Sequence, residues 1–106
     1  MKPSKFLNKK VVVDGIKFDS RKEADYYGIL KMRKMAGEIR DFKMQVPFRM
    51  EINGDLICKY IADFVVEYAN GIQVIDTKSD FTRKNPVYRI KNKLMKAIHG
   101  ITIIEK

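Results

Sequence analysis

The sequence predicts an α+β, or mixed α/β, fold in which a mixed β-sheet is flanked by two helices. Three observations lead to this prediction. Two segments space their apolar residues with a helical period. Between them lies a stretch whose apolar residues recur with a period of two, and Asp-Gly or Asn-Gly turns separate the strand-like segments. The expected order of elements is hairpin, helix, three strands, helix and strand.

The first elements are a hairpin and a helix. Val11 to Phe18 predicts a small hairpin with Asp14-Gly15 as its two-residue turn. A helix is expected from Ser20 to about Ala36, because Ser20 can cap it and Glu23 stands three residues later, as in a capping box. Gly37 stands where a glycine commonly ends a helix. The apolar residues of this helix follow its period: Ala24, Tyr27, Leu30 and Met35.

Three strands are expected next, and a helix and a short strand follow them. The strands are Val46–Ile52, Leu56–Tyr68 and Ile72–Lys78, with turns at Asn53-Gly54-Asp55 and Asn70-Gly71. Pro47 indicates an edge strand or a bulge, since proline donates no hydrogen bond to a sheet. Pro86 fits the first turn of a helix that runs to about Ile98 and ends at Gly100. Its apolar stripe is expected at Val87, Ile90, Leu94 and Ala97 or Ile98, and the last strand at 101–104.

Length and composition favour one domain. The chain has 106 residues, of which 45% are hydrophobic, so we expect a single domain over residues 11–106 after a flexible basic arm at 1–10. No apolar run approaches the roughly 20 residues that span a bilayer. The basic N-terminus lacks the apolar stretch of a signal peptide. The one cysteine, Cys58, suits a reducing compartment, and we expect a cytoplasmic location.

The charge is unevenly distributed along the chain. The net charge is +9, and residues 1–22 and 79–106 each hold seven basic and two acidic residues. Residues 23–78 hold eight basic and nine acidic residues. Basic ends around a centre rich in carboxylates suit a protein that binds a polyanion and holds a cation. An anionic membrane surface would select a similar charge.

Two carboxylates meet on the last predicted hairpin. With Asn70-Gly71 as its turn, Val65 lies opposite Asp76 and Asp63 lies opposite Lys78. The two aspartates are then diagonal neighbours on one face, with Cα atoms about 7–8 Å apart. The alternation places Val65, Glu67, Ile72 and Val74 on that face and Ala62, Phe64, Val66 and Tyr68 on the other.

The two aspartates can be interpreted in two ways. Carboxylates on so apolar a hairpin need an ion pair with Lys78 or a bound cation. An ion pair accounts for one carboxylate, whereas a hard divalent ion such as Mg²⁺ accounts for both. One histidine and one cysteine disfavour a zinc site.

Asp63 followed by Asp76-Thr77-Lys78 resembles the signature of the PD-(D/E)xK nuclease superfamily. The resemblance extends from about Phe18 to Ile104 and is closest to small phage-encoded members. Three further segments contribute to it: Phe18-Asp19-Ser20-Arg21-Lys22-Glu23-Ala24, Gln45-Val46-Pro47-Phe48 and Ile61-Ala62-Asp63-Phe64. Ala62 departs from the proline that can precede the first acid.

The resemblance implies a restriction-endonuclease-like core and a metal-dependent DNA endonuclease, encoded by a phage or prophage. Cleavage would be structure-selective or weakly sequence-specific. Asp63 and Asp76 would bind Mg²⁺, for which Mn²⁺ could substitute, and the carbonyl of Thr77 could add a ligand. Lys78 would orient or deprotonate the attacking water or stabilise the charge on the phosphate. Glu23 would complete the metal shell.

Two of these residues have alternatives. Glu23 can instead fold back on the N–H of Ser20 as a capping box. Gln45 depends on the first strand turn: a two-residue turn at Asn53-Gly54 pairs it with Ala62, and a three-residue turn pairs it with Asp63, inside the site.

The second helix and the residues before it are expected to follow DNA phosphates. The residues are Arg83, Lys84, Arg89, Lys93 and Lys96, and the arm adds Lys2, Lys5, Lys9 and Lys10. A solvated helix face is the alternative. The expected partner is double-stranded or branched DNA, with no membrane, and cutting both strands would favour a homodimer. The other functions considered are a non-catalytic DNA-binding module of the same fold and a structural phage protein whose Asp63–Lys78 pair fixes the hairpin.

Overall fold

The computed structural model describes residues 10–106. The expected arm at 1–10, with Lys2, Lys5 and Lys9, therefore lies outside the described residues except for Lys10. The chain divides into two compact units, which meet in sequence between Glu38 and Ile39. The α+β fold class is confirmed, and the single nuclease-like domain over 11–106 stays a prediction.

The first unit is a hairpin followed by a helix, as expected. Strands β1 (Val11–Val13) and β2 (Ile16–Phe18) pair antiparallel around Asp14 and Gly15. Both turn residues have positive φ, at 54° and 75°, which a tight hairpin turn of this kind requires. Helix α1 (Arg21–Met35) starts at the cap Ser20 and ends before Gly37, whose φ is 78°.

One face of α1 forms the buried part of this unit. Leu30 is fully buried, and the rings of Phe18 and Tyr27 lie 5.1 Å apart. The hydroxyl of Tyr27 donates to the Asp14 carboxylate at 2.9 Å, which joins the helix to the hairpin turn. The prediction was wrong for Met35, which is 84% exposed, because the chain leaves the helix there.

The second unit contains a four-stranded sheet in the order β3-β4-β5-β6. The strands are β3 (Asp41–Ile52), β4 (Asp55–Tyr68), β5 (Gly71–Asp76) and β6 (Ile104–Glu105). The first three pair antiparallel, and β6 lies parallel to β5. β3 is an edge strand, as Pro47 predicted. The last strand is shorter and later than expected, because pairing with β5 begins only at Ile104.

Two helices connect β5 to β6. Helix α2 (Asp80–Arg83) was not expected, and Ser79 caps it by accepting from the N–H of Thr82. Helix α3 (Pro86–Leu94) starts with proline in its first turn, as predicted. A π-helical turn at Met95–His99 extends it to Gly100, whose φ of 69° ends it.

Helix α3 turns only part of its expected stripe towards the core. Tyr88 and Met95 are buried in the core, whereas Val87 and Ile90 are 60% and 58% exposed. The predicted stripe is therefore wrong at Val87 and Ile90, while Leu94 and Ile98 pack against the core as expected. Tyr88 can face inward because its hydroxyl donates to Glu105, so the buried polar end has a partner.

The β4–β5 turn lies one residue earlier than predicted, which shifts the strand register by two residues. Tyr68 pairs with Gly71, so the turn residues are Ala69 and Asn70 rather than Asn70 and Gly71. Gly71, with φ 144°, already belongs to β5. Continuing the pairing one step beyond Phe64 and Ile75 places Asp63 directly opposite Asp76, and not opposite Lys78 as predicted.

The β3–β4 register combines the two alternatives that the sequence left open. The turn has two residues, Asn53 and Gly54, because Ile52 pairs with Asp55. A bulge then shifts the register, since Glu51 pairs with Leu56 but Met50 pairs with Cys58. The extra residue, Ile57, brings Gln45 opposite Asp63, the register expected of a three-residue turn.

The alternation of β4 changes phase at Asp63. Tyr60 and Ala62 pack in the same core cluster as Val65 and Val74. The prediction that Ala62 shares a face with Phe64 was therefore wrong. Opposite Asp63, Gln45 has a φ of 53°, a left-handed conformation that locally interrupts the pleat of β3.

Candidate metal and phosphate site

Asp63 and Asp76 lie side by side at the end of the β4–β5 ladder. The backbone N–H of Asp63 donates to Asp76 Oδ1 at 2.9 Å. In the other direction, the N–H and hydroxyl of Thr77 donate to Asp63 Oδ2 at 3.0 and 2.9 Å. Each carboxylate is thus held by the backbone of the opposite strand, and the sheet register itself determines their separation.

Asp76 is a fully buried carboxylate. Its Oδ2 accepts from the hydroxyl of Tyr60 and lies 3.6 Å from Lys78 Nζ. Burial raises the pKa of Asp76 above its usual range, and the charge of Asp63 adds to the rise. The hydrogen bonds from Tyr60 and from the Asp63 N–H act in the opposite direction but do not cancel the effect of burial. A cation beside this group would relieve the cost of ionising it.

Tyr60 supports Asp76 from within the core. It is buried, and burial followed by the charge of Asp76 raises its pKa well above the usual tyrosine value. Its hydroxyl therefore stays protonated and keeps donating to Asp76.

Lys78 follows β5 and lies between a carboxylate and an aromatic ring. Its Nζ is 3.6 Å from Asp76 Oδ2 and 5.4 Å from the centre of the Tyr88 ring. Tyr88 is itself held by its hydrogen bond to Glu105, and burial raises its pKa. The ammonium group is therefore directed towards the pair of acids.

The two aspartates suit a hard divalent cation. Among residues 10–106, Asp63 Oδ1 accepts no hydrogen bond, so it is free to bind a metal ion. Within the same residues no group of three or more His, Cys, Asp or Glu side chains could hold a metal. Mg²⁺ commonly binds one or two carboxylates and keeps several waters, which fits a pair of acids better than it fits a protein-only cage.

Of the other two expected site residues, Glu23 has a local role as part of a helix cap, and Gln45 lies opposite Asp63. Glu23 is buried in the first unit, where its N–H donates to Ser20 Oγ at 3.1 Å and its Oε1 accepts from the N–H of Asp19 at 3.3 Å. The cap is thus formed, with Asp19 in place of the expected Ser20 as the second donor. Gln45 is exposed and lies opposite Asp63 in the register. Metal binding by Glu23 and a catalytic role of Gln45 stay predictions.

Part of the expected basic surface converges around Tyr88. Arg83, Arg89 and Lys93 line an open cavity of about 240 Å³ together with Glu105. Arg83 Nε lies 3.6 Å from Glu105 Oε1, which orients the guanidinium group. The other two expected phosphate contacts, Lys84 and Lys96, are exposed and do not line this cavity.

Residues 3–100 match the model of a family described as "Protein of unknown function (DUF1064)". This chain belongs to the DUF1064 family. No curated protein and no solved structure matches it. The DUF1064 match includes both aspartates and Lys78, so the site lies within the part that defines the family. Within residues 10–106, no helix has both the length and the apolar character needed to cross a bilayer.

The sequence did not predict that two tyrosines and two lysines of this DUF1064 protein lie around the candidate site. Tyr60 and Tyr88 are core residues that also contact the site: Tyr60 donates to Asp76, and the ring of Tyr88 lies beside Lys78. Lys59 and Lys91 lie beside them in a second cleft. The phase change at Asp63 turns Tyr60 towards Asp76, and no local motif predicts it.

Proposed function

We propose that this DUF1064 protein is a metal-dependent DNA endonuclease of the PD-(D/E)xK type, encoded by a phage or prophage and acting in the bacterial cytoplasm. The observation that carries the proposal is the buried Asp76, which is bonded to the Asp63 backbone and lies 3.6 Å from Lys78. Two acids and an amine at one point are the groups that phosphodiester hydrolysis needs.

Asp63 and Asp76 would hold Mg²⁺, or Mn²⁺ in its place. When bound, the ion supplies a water of lowered pKa and neutralises charge on the phosphate. Asp76 suits this role because its ionised form is costly in the core and a cation offsets that cost. The Thr77 hydrogen bonds hold Asp63 Oδ2, which leaves Oδ1 available for the ion.

Lys78 would act at the scissile phosphate. Its ammonium group is partly buried, with its side chain 21% exposed, so its charge is less screened than that of a surface lysine. There it can donate to the attacking water, or to the phosphate oxygen on which negative charge develops. The ring of Tyr88 and the carboxylate of Asp76 hold it in position, which lowers the entropic cost of that contact.

Arg83, Arg89 and Lys93 would bind phosphates on either side of the cut. These contacts position DNA without reading its sequence, which favours structure-selective or weakly specific cleavage. One site cuts one strand, so breakage of both strands would use two copies of the chain.

The test is a cleavage assay on supercoiled, linear and branched DNA in Mg²⁺, Mn²⁺ or EDTA. We expect cutting by the wild type in either metal and none in EDTA or with Asp76→Asn. Lys17→Ala, an exposed change in β2, is the control and should cut normally. Metal-independent cutting, or equal cutting by Asp76→Asn, would contradict the proposal.

A non-catalytic DNA-binding module is the second candidate. The cavity with Arg83, Arg89 and Lys93 could bind phosphates without any metal at the aspartates. This function predicts salt-sensitive DNA binding with no cutting of any of the three substrates. The same assay, with a gel-shift measurement beside it, distinguishes the two functions.

A further inference from the structure

A second cleft opens between β4 and α3 and is lined in part by Tyr60 and Lys78, which both contact Asp76. Its volume is about 330 Å³, within the range of clefts that hold small organic groups. Lys78 belongs both to this cleft and to the proposed metal site. A group bound in the cleft would therefore be a direct neighbour of the phosphate under attack.

The cleft has a cationic lining. Lys59, Lys78 and Lys91 line it, and none of the described residues in its wall is acidic. Lys91 comes from α3 and Lys59 from β4, so the charges converge from two elements. An anionic group such as a phosphate matches this lining.

Part of the wall of the cleft is apolar, and a bound phosphate alone would not contact that part. Ile61 and Val87 line it and are 53% and 60% exposed. Paired DNA presents phosphates and sugars to a protein surface, while its bases stay stacked inside the duplex. An unpaired base, in contrast, is free to lie against an apolar wall while its phosphate meets the lysines.

We infer that this cleft binds one unpaired nucleotide of the DNA strand, next to the phosphate that is cut. The inference rests on the proposed function and deepens it, because it assigns the enzyme to DNA with single-stranded segments, such as branches or flaps. Lys59 and Lys91 bind the flanking phosphate, and Ile61 and Val87 contact the base or sugar.

The test measures binding in EDTA, so that no cutting occurs. The probes are a fluorescein-labelled 15-mer of thymidine nucleotides and the same strand paired with its complement, followed by fluorescence anisotropy. We expect tighter binding of the single strand by the wild type. Lys59→Ala/Lys91→Ala should weaken single-strand binding about tenfold and reduce its salt slope by about 0.7, the contribution of the one phosphate contact that is lost.

The apolar wall has its own variant. Ile61→Ser/Val87→Ser should remove most of the preference for the single strand and leave the salt slope unchanged, because it removes no charge. Lys17→Ala is the control for loss of a surface lysine and should bind as the wild type does. Circular dichroism melting of every variant shows that it is folded.

Two results would overturn the inference. One is unchanged single-strand binding in Lys59→Ala/Lys91→Ala, and the other is equal weakening of duplex and single strand by Ile61→Ser/Val87→Ser. If the wild type cuts DNA with metal but either result is found, the inference fails and the endonuclease proposal stands. If no DNA is cut but the cleft variants lose single-strand binding as expected, the endonuclease proposal fails and the cleft is a binding site only.

Discussion

At the scale of single residues, Asp76 combines two properties that stability alone would not favour. It is fully buried, and its pKa is raised by that burial. Tyr60 and the Asp63 N–H satisfy its oxygens, so the group is positioned even though its charge is costly. Such a group destabilises the protein when it is charged, and the proposed metal ion would offset that cost, so the proposal links stability to metal binding.

Asp76→Asn is therefore expected to raise the melting temperature in EDTA at pH 7 by a few degrees. The raised pKa means that the folded state favours the protonated form, so the stability it contributes is complete below pH 3.8, the ordinary value. That contribution is lost as the pH rises through the raised pKa. Asparagine keeps the acceptor for the Asp63 N–H and has no charge to bury. Thermal melts at pH 4 and pH 7 measure the difference in melting temperature between Asp76→Asn and the wild type, which should be larger at pH 7.

Metal should reverse the order of the melting temperatures of the wild type and Asp76→Asn. Mn²⁺ is expected to raise the melting temperature of the wild type and to leave that of Asp76→Asn unchanged. A variant that is no more stable than the wild type in EDTA, or equal metal stabilisation of both, would contradict this account of Asp76.

Lys78→Ala is expected to keep metal affinity and lose cleavage. The carboxylates that hold the ion are still present, while the donor to the water or phosphate is gone. Removal of one such donor lowers the turnover rate about 100-fold or more in related chemistry. Titration calorimetry with Mn²⁺ measures the first quantity and single-turnover cleavage the second. Unchanged cleavage would remove Lys78 from the mechanism.

At the scale of elements, the bulge in β4 determines which residues face each other. The Asn53-Gly54 turn alone would place Gln45 opposite Ala62, and the extra residue Ile57 moves it opposite Asp63. Both Gln45 and Asp63 lie where the strands change phase, so the local irregularity and the candidate site coincide. Bulges commonly serve to redirect a side chain near a functional site.

Deletion of Ile57 is expected to preserve stabilisation by Mn²⁺. It removes the bulge, but a regular ladder from the Asn53-Gly54 turn then still pairs Gln45 with Asp63, so the surroundings of the aspartates are kept. Ile57 is 55% exposed, and Ile57→Ala, which keeps the residue count, is the control that should bind metal normally. Melting curves with and without Mn²⁺ measure both variants. Loss of metal stabilisation in a folded deletion variant would show that the site depends on the bulge itself and not only on the register.

At the scale of the whole molecule, the charge of +9 provides general attraction to a polyanion. The proposed phosphate contacts lie in two places: Arg89 and Lys93 line one cavity, and Lys59 and Lys91 line the neighbouring cleft. In this proposal, the overall charge attracts DNA at long range and these residues position it.

Binding of duplex DNA is expected to weaken steeply with salt, and Arg89→Ala/Lys93→Ala should reduce the slope by about 1.8. Each phosphate contact to duplex DNA contributes about 0.9 to that slope. Anisotropy titrations between low and physiological salt measure it, with Lys17→Ala as the control. A flat response in the wild type would argue against the basic surface as the DNA contact.

Local chemistry made much of the fold predictable. Asp14-Gly15, Ser20 and Gly37 act within a few residues of themselves, and the structure confirms the turn and both helix ends. The start of α3 at Pro86 was predictable for the same reason, because proline in the first turn is a local signal. The inward position of Tyr88 was not predictable, because the choice between Tyr88 and Val87 as the inward residue depends on Glu105, which is distant in sequence.

The sequence by itself determined the order of elements, the caps and turns, and the convergence of Asp63 and Asp76 at the end of one hairpin. Convergence withstood a wrong turn assignment because a shift of two residues keeps both side chains on the same face. Tertiary structure alone decided that Asp76 is fully buried, that Tyr60 holds it, and that Lys78 lies between Asp76 and Tyr88. Burial and such contacts depend on residues far apart in the chain, and no local pattern of side chains specifies them.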